Sequence, residues 1–189
     1  MIFLTPSQVL HGYATGVFPM AHPDEGDAIY WYEPEMRGIM PLDGFKVSKS
    51  LRQRLNRKEF EVTMNKAFPE VIRCCANRDE TWISEEIQSV YIELHDMGFA
   101  HSVECWKDNE LVGGLYGVAI DRVFFGESMF HKTTDASKVA LYYLVQWLKS
   151  NQYVLLDMQY LTDHLASMGG IEIPKKDYKE ILRNSIKKY

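Results

Sequence analysis

The 189-residue sequence is short of most things that would announce its chemistry. It has three cysteines, Cys74, Cys75 and Cys105, and no CxxC pair. An odd count with two of them adjacent is a poor disulfide framework, and a reduced, cytoplasmic setting is expected. His11, His22, His95, His101, His131 and His164 show no ligand spacing with cysteines or carboxylates, so no metal is expected. No stretch approaches the ~18 apolar residues that would mark a membrane span. The opening MIFLTPSQVL lacks a basic region followed by a long apolar core, so no signal peptide is expected. The net charge of −5 excludes a protein that coats nucleic acid indiscriminately. It leaves room for a local basic patch, which is what phosphate contact requires.

The sequence also shows no internal repeat and no low-complexity tract. Hydrophobic residues make up 46% and aromatics 13%, enough to build a core and to set disorder aside. Five of the seven prolines (Pro6, Pro19, Pro23, Pro34, Pro41) fall in the first 45 residues. That composition sets residues 1–45 apart as a short N-terminal segment from a more regular 46–189. Within the segment one helix is expected at 6–15, capped by Thr5, begun by Pro6 and ended by Gly16. The rest of it reads as loops and short extended pieces.

Beyond residue 45 the pattern becomes regular. A basic helix is expected at 48–57, carrying Lys49, Arg52, Arg54 and Arg57 with Lys58 beside it. A strand follows at 60–64, then a helix at 66–76 with Asn65 as its cap. Ser84 caps an amphipathic helix that places Ile87, Val90, Tyr91 and Leu94 on one side. Gly98 ends it. Segments 101–106, 110–120 and 123–130 are joined by turns at 107–109 and 121–122, the pattern of a three-stranded antiparallel meander. A helix at 135–149, a strand at 153–159, a short helix near 162–168, a strand at 170–174 and a helix at 175–187 complete the order. Helices grouped around a mostly antiparallel sheet make an α+β domain. The strand–helix–strand passage 123–159 can add one parallel pairing through a right-handed crossover.

Six segments in colinear order carry a resemblance: GYATGVFP (12–19), TWIS (81–84), LVGGLYGVA (111–119), FFGESMF (124–130), LLDMQ (155–159) and IEIPKKDY (171–178). Together they resemble the leucyl/phenylalanyl-tRNA–protein transferase family. The family's fold is similar to the GCN5-type acetyltransferase domain, a mixed, mostly antiparallel sheet flanked by helices. The resemblance implies an aminoacyltransferase that moves Leu, Phe and also Met from aminoacyl-tRNA to the α-amine of N-terminal Lys or Arg, marking proteins for N-degron proteolysis. It implies a monomer that works in the cytoplasm with no cofactor and no membrane.

The same resemblance assigns residues. Asp157 and Gln159, two apart on a strand and so on one face, would lie at the reacting centre, the carboxylate orienting or deprotonating the incoming amine. Glu127 would hold the α-ammonium of the aminoacyl group, since a buried carboxylate needs a cationic partner. Leu115, Phe124, Met129, Leu141, Leu144 and Leu156 match pocket-lining positions. Trp82 and Tyr91 would contact the 3′-terminal adenosine, and Tyr13 the site wall. Met20 stands where the family often has Trp. Lys49, Arg52, Arg54, Arg57 and Lys58 would grip the tRNA backbone by shape rather than sequence. Asp24, Glu25, Asp27, Glu33 and Glu35 can supply an acidic wall for a basic acceptor residue.

Read without the resemblance, each of these has an ordinary alternative. The leucines suit a plain core, Asp157 a buried backbone cap, and the basic helix a solvated face. Two other functions also fit the fold. One is an acetyl-CoA-dependent N-acetyltransferase, but that class needs a Gly-rich pyrophosphate loop. The stretch FHKTTDASK (130–138) has no glycine. The other is a non-catalytic module that binds tRNA or peptide.

Overall fold

The computed structural model describes residues 4–187. Thr5 caps α1 (Pro6–Thr15) through a reciprocal capping box with Gln8, and Gly16 closes it at φ 97°. Strands β1 (Phe18–His22) and β2 (Ala28–Tyr32) pair as a two-stranded hairpin, and β3 (Met36–Met40) follows. Helix α2 (Lys49–Arg57) and strand β4 (Glu61–Met64) lead to α3 (Phe68–Ala76) and α4 (Glu85–Asp96). The meander is β5 (Ala100–Lys107), β6 (Glu110–Ile120) and β7 (Val123–His131), all antiparallel. Helix α5 (Ala136–Ser150), strand β8 (Leu155–Gln159), helix α6 (Asp163–Ser167), strand β9 (Ile171–Pro174) and helix α7 (Lys175–Ser185) complete the chain.

Seven strands form one sheet in the order β4-β5-β6-β7-β8-β3-β9. Among the described residues only β7 and β8 run parallel. This is the α+β class with a mixed, mostly antiparallel sheet that the sequence implies. Strand β3 belongs to the stretch 1–45 that composition sets apart, yet it lies between β8 and β9 in this main sheet. Its short, Gly-containing sequence MRGIM gives no period-2 pattern strong enough to predict a central strand. Gly38 is required there: a Cβ would sit 2.7 Å from the backbone of Tyr160 and Leu161, where the chain leaving β8 folds back.

Two apolar layers sandwich the sheet. Leu10 of α1, Ile72 of α3, Ile87 and Leu94 of α4 and Leu182 of α7 share one cluster. Leu51 of α2, Leu141, Leu144 and Leu148 of α5 and Leu165 of α6 share the other. One expected cap is corrected. Asn65 does not cap α3. It adopts φ 59° and spends its side-chain oxygen on the Ser102 amide. The Lys66 and Ala67 amides before α3 instead donate to the buried carboxylate of Glu104, at 3.2 and 3.3 Å. Among the described residues no helix is long and apolar enough to cross a membrane.

Candidate active site

Two irregularities of the sheet create the site. β7 and β8 pair only over Val123–Phe125 and Leu155–Asp157. Beyond these pairs a cavity of about 270 Å³ opens beside Gly126, Glu127, Met158 and Gln159. The second irregularity is a bulge. Tyr116 faces Ser128 while Gly117 faces Gly126, so Glu127 is the extra residue on β7. Bulges re-aim side chains, and this one turns a carboxylate toward α1 and α4.

Glu127 is 9% exposed and surrounded by donors. Tyr13 of α1 donates its hydroxyl to Oε1, and Tyr91 of α4 lies 3.4 Å from Oε2. Gln159 Nε2 lies 3.2 Å from each carboxylate oxygen. The Tyr13 and Tyr91 hydroxyls also bond each other. Burial is the main influence on the acid, and the nearby Asp157 charge adds to it. The hydrogen bond from Tyr13 works against both, and the result is a pKa pushed up to about 8.

Asp157 lies behind this group, not in the cavity lining, and is fully buried. Arg37 of β3 holds both of its oxygens, Nε to Oδ1 at 2.8 Å and Nη2 to Oδ2 at 2.6 Å. Tyr178 donates to Oδ2 at 3.1 Å and the Gln159 amide to Oδ1 at 2.9 Å. The guanidinium is sandwiched between the rings of Phe18 and Tyr178, 4.6 and 4.5 Å from their centroids. Deprotonation of an incoming amine by Asp157 is therefore corrected. Its charge is neutralised, its oxygens are occupied, and it has no open path to a substrate. What it does hold is the backbone of Gln159, which turns out of β8 at φ 61°.

The expected apolar set divides. Leu115, Met129, Leu141, Leu144 and Leu156 line the cavity. Phe124 does not. It is fully buried, and its ring closes the space above Gly117, where a Cβ would lie 2.4 Å from it. Met20, Arg78, Tyr116, Met158, Tyr160, His164 and Leu165 also line the cavity, and the sequence gives no periodic signal for them.

Trp82 is half-buried and lines the cavity. Its carbonyl accepts from the Ala21 amide, tying this loop to β1. Tyr91 is corrected as a stacking platform. It is fully buried with its ring edge-on to Tyr116, and no face remains for a base. Tyr13 is likewise fully buried and reaches the site through its hydrogen bonds to Glu127 and Tyr91.

On α2, Lys49, Arg52 and Arg57, with Lys58 at its end, are exposed. Arg54 is corrected: its guanidinium bridges Glu59 at 2.8 Å and Asp135 at 2.9 Å, so it pins α2 to the start of α5 and is not open to phosphate. The acidic wall also shrinks. Glu33 pairs with Lys175 and Lys179, and Glu35 with Lys175.

The residues that sequence reasoning missed had one available signal. Arg37 is a lone charge inside an apolar strand, as Asp157 is, and two opposite lone charges on buried strands call for each other.

The chain is similar to known proteins over most of its length. The family model for leucyl/phenylalanyl-tRNA protein transferase matches residues 39–183, and the model for its N-terminal domain matches residues 4–35. A protein of that name from Rhodopseudomonas palustris (strain TIE-1) is 50% identical over 187 residues, covering 97% of this chain and 83% of its own. Another from Akkermansia muciniphila is 50% identical over 187 residues, covering 97% of this chain and 96% of its own. A third, from Herpetosiphon aurantiacus, is 51% identical over 180 residues, covering 95% and 93%. Among solved structures, FemX superposes with a TM-score of 0.53 at 10% identity, over 79% of this chain and 64% of that one. That likeness concerns the fold alone.

Proposed function

This chain belongs to the leucyl/phenylalanyl-tRNA protein transferase family, and on that premise we propose how its cavity serves its substrates. The chain is an aminoacyltransferase, carrying an amino acid from its tRNA ester to a protein. The donor amino acids are Leu, Phe and Met. The acceptor is the α-amine of an N-terminal Lys or Arg, and the product is a protein marked for N-degron proteolysis in the cytoplasm.

The observation that carries this reading is the buried carboxyl of Glu127 at the edge of a leucine-rich cavity. A leucyl, phenylalanyl or methionyl group carries an apolar side chain and a cationic α-nitrogen on the same carbon. The side chain fits against Leu115, Met129, Leu141, Leu144 and Leu156, and the ammonium against Glu127. A leucine- and methionine-lined pocket separates side chains that differ by a methylene by only ~1–3 kcal/mol, so a small family of apolar donors is accepted.

Gln159 spends its amide N–H groups on Glu127. Its oxygen is left to accept from the acceptor amine and orient it. The amine nitrogen attacks the ester carbonyl carbon. A C–N bond forms and the C–O bond to the ribose breaks. The nitrogen loses one proton and the ribose oxygen gains one. The ester is already activated, so the contribution of the fold is near-attack positioning of two substrates. Asp157 acts only as a positioning residue, through Arg37 and the Gln159 backbone.

A transfer assay crossing leucyl-, phenylalanyl-, methionyl- and alanyl-tRNA with peptides beginning in Lys, Arg or Ala tests this. Mass spectrometry should show addition of the three apolar residues to the Lys and Arg peptides only. Acetylation of the same peptides by acetyl-CoA, without aminoacyl transfer, would overturn the reading.

A further inference from the structure

Arg78 lines the cavity from the loop between α3 and α4, and no other lysine or arginine among the described residues does so. Its guanidinium is held in place by neutral acceptors. Nε donates to the Cys75 carbonyl at 2.8 Å. Nη2 donates to Ser128 Oγ and to the Met129 carbonyl, both at 2.9 Å. Among the described residues it joins no ion pair, and Nη1 makes no hydrogen bond. The neighbouring Asp79 and Glu80 do not pair with it either. The side chain is nonetheless exposed at the cavity's edge.

A brace across this loop needs hydrogen-bond donors and not a charge, and an amide would serve. What a brace does not explain is a positive charge fixed in geometry and left without a counterion. Lys132, the residue after β7, acts electrostatically on Cys74, next to the residue that holds Arg78. A planar, always-charged guanidinium with free N–H groups is suited to a phosphate, which offers paired oxygen acceptors.

We propose that Arg78 binds the phosphodiester on the 5′ side of the donor's terminal nucleotide, at the cavity mouth. The inference rests on the reading of the cavity as the aminoacyl site. With the aminoacyl group inside, its ribose occupies the mouth, and the first backbone phosphate lies one sugar further out. Two neutral walls and Glu127 can hold the amino acid. Arg78 adds the first charge that can tell a nucleic-acid donor from a free ester.

The test compares wild type and Arg78→Gln on two donors, leucyl-tRNA and 3′-O-leucyladenosine, which has no phosphate. The variant keeps an amide to bridge the loop. It should raise KM for leucyl-tRNA by about tenfold with kcat unchanged, and lower the salt dependence of binding by about one ion. For leucyladenosine, kcat/KM should stay within about twofold of wild type. An equal loss on both donors would make Arg78 a brace only, and no loss on either would remove it from the site. Both results overturn the inference. Arg78→Lys, which keeps the charge, should recover part of the loss on leucyl-tRNA, and failure to do so also counts against it. A wild type inactive with both donors would overturn the function itself, and this inference with it.

Discussion

Arg37 and Asp157 form a two-point ion pair in which the arginine is 1% exposed and the aspartate 0%. The pair joins β3 to β8 and, through Gly16 and Tyr178, to the end of α1 and to α7. Burial is the largest single influence and depresses the Arg37 guanidinium, but the Asp157 charge, its hydrogen bonds and the other groups around it together hold the arginine above its ordinary pKa. Two buried charges contribute little net stability while together, and removing one leaves the other stranded. Asp157→Asn should therefore cost roughly 3–5 kcal/mol of stability. The double variant Arg37→Gln with Asp157→Asn should recover part of that loss. Denaturant unfolding of Arg37→Gln, Asp157→Asn and the double variant checks this, and strictly additive losses would show that the pair is not coupled.

Glu127 behaves oppositely to a surface carboxylate. Its pKa is raised from 4.5 in the unfolded chain to about 8 in the fold. The fold thus favours the protonated acid. That favour is complete below pH ~4.5, is lost as the pH rises toward about 8, and changes no further once both states are ionised. Glu127→Gln cannot ionise and escapes the loss. Its unfolding free energy relative to wild type should climb from pH 5 to pH 8 and then level, by an amount on the order of 4 kcal/mol, and its melting temperature should rise with it. Calorimetry across that range reads it, and a gap that narrows with rising pH would contradict the assignment.

How far the sequence went depends on the range of the interaction. Helices α1, α4 and α5 and the meander β5–β7 are written in local caps, turns and periodicity, and all were legible. The Ser84 cap and the Thr5 capping box are examples, each confined to four residues. Asp157 and Gln159 stand out as polar residues on an apolar strand, whereas Glu127 is reached only through the family resemblance. What could not be read is what the tertiary structure decides. The partner of Asp157 sits 120 positions away. The bulge that turns Glu127 inward depends on the register of β6 against β7. Asn65 looked like a cap because its type favours caps, but a distant glutamate on β5 was better placed for the amides. Tyr91 and Leu94 were read as one apolar face, and that face packs so closely that the ring of Tyr91 is unavailable.

The basic helix divides into two kinds of residue, and mutation should separate them. Lys49→Ala and Arg52→Ala remove exposed charges from α2. Each should weaken tRNA binding and reduce its salt slope by about one, leaving the melting temperature unchanged. Arg54→Ala breaks the links to Glu59 and Asp135 and should lower the melting temperature while changing the salt slope less. Binding measured at several salt concentrations, beside thermal melts, distinguishes them. Identical behaviour of Arg54 and Lys49 would return Arg54 to the tRNA surface.

The central claim is that Glu127 recognises the α-ammonium of an aminoacyl group whose side chain fills the leucine-lined cavity. The most direct measurement is single-turnover transfer to a peptide with N-terminal Arg from leucyl-tRNA and from N-acetyl-leucyl-tRNA. The two donors share side chain, ester and RNA, and acetylation replaces the ammonium that Glu127 would meet with a neutral amide. Leucine should be transferred, and acetyl-leucine at a rate lower by about 100-fold or more, as expected when a buried carboxylate loses its cation. Equal rates from the two donors would contradict the account.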